Sequence, residues 1–211
     1  MKKLFTKQTA MIGFIFFAAF ILSRTSHAYL AVNETAELLP DGYFKFGVAP
    51  QLRLSDGGGL NVGAFFDTFI ADDLNGRFEL GGGKTDFWSQ ASVKWVPFPD
   101  VERQPALGIR GAFIYARDEN LDFYNFQVAP MMSKVADTRY GKMIPFVALP
   151  ITFMNTKNNS TTATQFTVGA EWFSNKDMHV GAEIDLNLSK SYTSVSTFIS
   201  FPFDAAIGYK K

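Results

Sequence analysis

The strongest constraint in this sequence is a two-residue alternation that runs from Gly42 almost to the C-terminus. Ionised residues fall on one face and apolar residues on the other. Successive side chains of a β-strand point to opposite sides, so this period predicts strands. From Gly42 onward no segment reads as a long amphipathic helix. The clearest run covers 44–54: Phe44, Phe46, Val48, Pro50, Leu52 and Leu54 share one face, and Lys45, Gly47, Ala49, Gln51 and Arg53 the other. Ser55-Asp-Gly-Gly-Gly59 supplies residues that tolerate positive φ, so the chain reverses there and returns over 60–70.

The same pattern recurs. Turns over 71–76 and 81–85 flank a short glycine-rich strand at 77–81, and strands follow at 87–96, 106–116, 121–135, 143–154, 163–173, 178–188 and 192–203. The connector 97–105 is the longest, and 155–162 the most polar, the best candidate for contact outside the cell. The count is about ten strands, within a range of roughly eight to twelve, and an even number returns both ends of a barrel to the same side. Most runs hold about 9–12 residues, as a tilted membrane strand requires, whereas soluble strands average nearer 5 or 6. The expected fold is all-β: one antiparallel up-and-down transmembrane β-barrel over 42–203, with an exposed lead-in at 29–41 and a polar tail at 204–211.

The charged residues inside strands decide which way such a barrel faces. One face collects Lys45, Arg53, Asp67, Arg77, Glu79, Lys94, Arg110, Glu171, Glu183 and Asp185. The other is almost uninterrupted Phe, Val, Leu, Ile and Ala. A soluble lipocalin-like binder would turn the charges to water and pack the apolar residues inside; a membrane barrel would enclose the charges and present the apolar face to lipid. Aromatic residues at strand ends (Tyr43, Phe44, Trp95, Phe98, Tyr115, Trp172, Phe173, Phe201, Phe203) match interfacial girdles and favour the membrane reading. So does composition: 23 residues are Phe, yet mean hydropathy is near zero.

Residues 1–28 read as an export signal. Lys2, Lys3 and Lys7 precede the apolar run 10–22, and Ser26-His27-Ala28 places small residues two apart, as a cleavage site requires. The run is short for a spanning helix, which needs about 20 residues. Cleavage after Ala28 would remove four of the 20 basic residues and no acid, leaving a net charge of about −4. With 20 basic and 20 acidic residues in all, the chain has no basic stripe for nucleic acid. The absence of cysteine excludes thiol chemistry, cysteine–metal sites and a lipid-modified cysteine at the cleavage point.

The last strand alternates Thr193, Val195, Thr197, Ile199, Phe201 and Phe203 with Ser194, Ser196, Phe198 and Ser200. It resembles the C-terminal recognition strand of outer-membrane barrels, which closes on an aromatic residue, although here the chain continues to Lys211. Across 42–203 the chain is similar in architecture to the small outer-membrane barrels of the OmpA, OmpX and OmpW type. Glu34-Thr-Ala-Glu37 and Lys94-Trp-Val-Pro-Phe-Pro-Asp100 look typical of a poorly characterised branch of such barrels. The resemblance implies outer-membrane lipid as the surroundings and the barrel-assembly machinery as a partner during biogenesis. It carries over no functional residues.

Motifs for chemistry are weak. His179 is the only histidine after the signal segment and shares the charged face with Glu183 and Asp185. No neighbouring strand offers a distinctive serine for a base–nucleophile pair, as a lipid-modifying barrel enzyme needs. Gly81-Gly-Gly-Lys-Thr85 lacks the first glycine and the following helix of a phosphate loop, and Asp73, Asn75 and Gly76 match a calcium loop only in part. No catalytic, cofactor or metal site is expected. Five cations against five anions can pair, and a barrel this size is roughly filled by its own side chains, so the lumen is expected to be plugged or very narrow; separate solvated charges in a wet lumen are the alternative. The functional expectation is a structural or interaction barrel, with a narrow channel for small solutes or apolar compounds as the alternative.

Overall fold

The computed structural model describes residues 30–55, 57–118, 121–156, 159–175 and 177–204. The expected signal segment, Tyr29 and the tail beyond Asp204 lie outside the described residues. Among the described residues there are twelve strands: β1 Tyr43–Arg53, β2 Gly59–Ala71, β3 Leu74–Gly83, β4 Phe87–Phe98, β5 Ala106–Asp118, β6 Leu121–Ser133, β7 Ala136–Thr138, β8 Gly141–Ala148, β9 Ile151–Thr156, β10 Asn159–Asn175, β11 Met178–Ser189 and β12 Ser194–Asp204. Every pairing is antiparallel, most of them between neighbours in sequence, and β12 closes on β1 from Tyr43↔Asp204 to Arg53↔Ser194.

The wall has ten positions. β8 and β9 occupy one of them, because both pair with β6 and both with β10. Pro150 carries no N–H and so interrupts the ladder between them. Leu149 still donates to the Pro130 carbonyl at 3.0 Å, and Gln165 to the Pro150 carbonyl at 3.0 Å, so the wall stays shut across the break. β7 extends the hairpin with β8 at the terminal end of the barrel, the rim where β1 begins and β12 ends.

The register follows the alternation. Phe46, Val48 and Leu52 point outward from β1 while Lys45, Ala49, Gln51 and Arg53 are buried inside. Gly57 and Gly58 take φ of 84° and 60° in the β1–β2 turn, which a side chain would strain. Eleven residues at about 3.3 Å each, tilted near 40°, span roughly 28 Å, close to the ~25 Å apolar band of a membrane barrel.

Three expectations about the chain path are corrected. The strand expected at 77–81 is a ten-residue strand, because the flanking turns shrink to Asp72–Asp73 and Lys84–Asp86. The expected polar loop 155–162 is mostly ladder, with Thr162↔Phe153, Thr161↔Met154 and Ser160↔Asn155 in register; polar composition misled because Ser and Thr pair as readily as they turn. Most of the lead-in is not exposed: residues 30–36 are buried inside the barrel, at most 3% accessible, and only Pro40 and Asp41 of its described residues are exposed. The chain reverses at Pro40–Gly42, where the Tyr43 N–H donates to the Pro40 carbonyl at 3.1 Å and Gly42 takes φ 74°.

Candidate functional site in the barrel lumen

The exterior is apolar on every wall strand. Phe78, Phe113, Phe126 and Leu60 are half exposed or more. Soluble monomers rarely expose an apolar patch above a few hundred Å². A continuous belt around the barrel, with polar residues inside, is the arrangement of a membrane barrel. Aromatic residues mark its two rims. Towards the terminal end Phe44 stacks on Phe66 and Phe203, the Trp95 indole donates to Asp73 at 2.7 Å, and the Trp172 indole donates to the Tyr140 carbonyl at 2.8 Å. Towards the far end Tyr115 lies against Phe87 and Tyr124 and donates to Asp122 at 2.8 Å.

All ten expected lumen charges are buried. Lys45 lies 3.4 Å from Asp67 and 3.5 Å from Glu171, and Arg77 lies 2.6 Å from Asp67. His179 joins this group, 3.2 Å from Glu171 and stacked on Phe173. Ser200 is the cross-strand neighbour of His179, and its buried hydroxyl makes no hydrogen bond to the ring. Gln90 donates to Glu79 at 3.3 Å, Thr167 and Ser194 donate to Asp185, and the Arg53 guanidinium sits 4.5 Å over the Tyr192 ring.

The remaining three charges turn to the N-terminal segment. Lys94 and Arg110 reach the carboxylate of Glu34, at 3.2 and 2.7 Å. Glu183 accepts the N–H groups of Val32 and Asn33, at 3.0 and 2.8 Å. Arg77, besides its ion pair, donates to the carbonyls of Val32 and Asn33, and Lys94 donates to those of Thr35 and Glu37. Deeper still, the Leu30 N–H donates to the Tyr192 hydroxyl, and Gln127 donates to the Leu30 carbonyl.

The segment therefore runs up the lumen antiparallel to β1, from Pro40 at the terminal end to Leu30 near the far end. Its apolar side chains complete two clusters: Val32, Ala36 and Leu38 against Val96, Ala106, Met131 and Ala148, then Leu30 and Ala31 against Trp88, Ile114 and Tyr192. Small lumen-facing residues make room for it. Ala106, Ala112, Ala116 and Ala129 line β5 and β6, and such a wall leaves a hole that charge counting does not reveal. That run of inward alanines is the sequence signal for a plug; Glu34, one of its chief anchors, lies ahead of the alternation, whereas Tyr192 opens the expected 192–203 strand in phase with Ser194.

Not every aromatic meets lipid. Phe65, Trp88, Phe123, Phe146 and Phe198 point inward. Several are seated on glycines of neighbouring strands: a Cβ on Gly181 would lie 2.0 Å from Phe198, and one on Gly81 2.3 Å from Trp88. At the terminal mouth the space beside the segment is a cleft of about 520 Å³ lined by Leu39, Tyr43, Lys142, Phe173 and His179.

No protein-family model matches the chain, and no curated protein matches its sequence. Solved structures similar to it include a bacterial polysaccharide outer membrane secretin, at TM-score 0.41 and 12% identity, covering 75% of this chain and 65% of that one. The translocator domain of the autotransporter NalP from Neisseria meningitidis matches at TM-score 0.43 and 10% identity, over 80% of this chain and 90% of its own. Neisserial surface protein A matches at TM-score 0.30 and 11% identity, over 76% and 96%. This chain thus spans 65% of the secretin chain. At such likeness only the chain's own geometry bears on function.

Proposed function

We propose that this protein is an exported outer-membrane barrel whose lumen is closed by its own N-terminal segment, so that solutes pass only when that segment moves. The observation that carries this reading is the threading of residues 30–36 through the lumen, held by charged wall side chains on both flanks. Charges screened from water need partners, and the segment adds to those that neighbouring strands supply, such as Asp67 for Arg77 and Gln127 for Arg110. The apolar belt between aromatic rims supports residence in a bilayer. An even-stranded barrel whose wall begins and ends at one rim, where β1 starts and β12 finishes, places that rim on the periplasmic side.

The wild-type protein is expected to show heat-modifiable gel migration, to resist carbonate extraction from outer-membrane fractions, and to give little conductance in planar bilayers. Deleting residues 30–39 is expected to open a steady current. Large stable currents from the wild type, or a deletion that folds yet stays closed, would refute the plug. Release by carbonate would refute the membrane assignment.

A further inference from the structure

The lumen wall reads its resident segment mainly through the peptide backbone. Arg77 takes two consecutive carbonyls, at 3.3 and 2.9 Å, while Glu183 on the far wall takes the two N–H groups of the same residues. One peptide stretch is thus clamped between a cation and a carboxylate, its dipoles aligned with both. The arrangement follows from the strand order. Arg77, Lys94 and Arg110 sit on the adjacent strands β3, β4 and β5; Glu183 sits on β11, five wall positions from β4 in a wall of ten. Among the described residues, the only side chain of the segment that the wall holds by ion pairs is the carboxylate of Glu34, which Lys94 and Arg110 share. Backbone contacts of this kind are indifferent to sequence; the carboxylate contact is not.

We infer that the lumen is a binding site for short extended peptides bearing an acidic side chain, and that the N-terminal segment occupies it as a built-in stand-in for such a solute. The inference rests on the plugged-barrel reading and adds the chemical class of what replaces the plug. Loss of the ion pairs that Lys94 and Arg110 make with the carboxylate sets the expected discrimination at about tenfold or more.

The test uses the 30–39 deletion in planar bilayers, with acetyl-Val-Asn-Glu-Thr-amide as probe. The glutamine counterpart and a neutral disaccharide of similar size serve as comparisons. The acidic peptide is expected to block the current at a concentration about tenfold or more below that of the glutamine peptide, and the sugar is expected not to block. Equal block by all three overturns the inference while leaving the plug intact, because only bulk would matter. A folded deletion that carries no current instead overturns the plug reading and this inference with it. Should the deletion not fold, full-length Glu34→Gln carrying Ala36→Cys replaces it. Added acidic peptide should then displace the loosened segment and speed thiol labelling at position 36. Unchanged labelling at saturating peptide overturns the inference.

Discussion

Glu34→Gln is the most informative single perturbation of this barrel. The Glu34 side chain is 4% exposed, and its partners Lys94 and Arg110 are 7% and 0% exposed, so all three charges are out of water. Glutamine keeps the shape but removes the charge, leaving two buried cations that share no counter-ion at that point. Breaking a buried ion pair from one side costs about 3–5 kcal/mol. The remaining backbone contacts of the segment are untouched, so the cost falls on the equilibrium between seated and withdrawn segment rather than on the barrel ladders. At the low end, about 3 kcal/mol shifts that equilibrium by roughly a hundredfold. Because the chain contains no cysteine, a single Ala36→Cys reports the buried state cleanly. Ala36 is 1% exposed, and its thiol should react slowly with a maleimide in the parent and roughly a hundredfold faster with Glu34→Gln. A cysteine at Tyr140, which is 82% exposed, should react at one rate in both backgrounds. Equal rates at position 36 would show that the ion pairs do not hold the segment.

Three further outcomes are expected. Phe126→Arg, mid-strand on the outer face, should lower stability by about 2–4 kcal/mol in urea titrations in lipid vesicles; a change within about 0.5 kcal/mol would mean that this face meets water. Gly181→Ala drives a methyl into the Phe198 ring and should cost about 1–3 kcal/mol, much of it recovered when Phe198→Ala is added; strictly additive losses would refute the seating of ring on glycine. Partial burial pushes the Asp100 carboxyl up, but its hydrogen bonds from Lys134 and from the Val135 N–H outweigh this and hold it below the ordinary carboxylate value. The folded-state value being the lower one, the contribution to stability is present above the unfolded value and lost as pH falls through the folded one. The 99–105 connector should therefore stay docked at neutral pH and become protease-sensitive below about pH 4, whereas Asp100→Asn should be equally cleavable across that range.

Much of this architecture is written in local pattern. The period of two places most of the strands, though not β7 or the 159–162 end of β10, and its phase decides which residues enter the lumen: Lys45, Arg53 and Arg110 could not face lipid without unpaired charge in hydrocarbon. Ten wall positions follow from the turn signals, even where β3 is short of apolar residues and β8–β9 is broken by Pro150. Pairing among Lys45, Asp67 and Arg77 was also within reach, since their strands are neighbours in sequence.

The fate of residues 30–40 was not legible in this way. Leu30-Ala-Val-Asn-Glu-Thr carries neither strand alternation nor helical period that would assign it a place, and read alone it is a short exposed lead-in. Only closure of the barrel creates the hole, in which the alanines of β5 and β6 face charges carried by strands far away in the chain. Only that closure brings Arg77 and Glu183, 106 positions apart, to either side of one peptide stretch. Alternation is a property of neighbours along the chain and can be read from them. A void and the charges that surround it belong to the closed wall, and no stretch of sequence contains them.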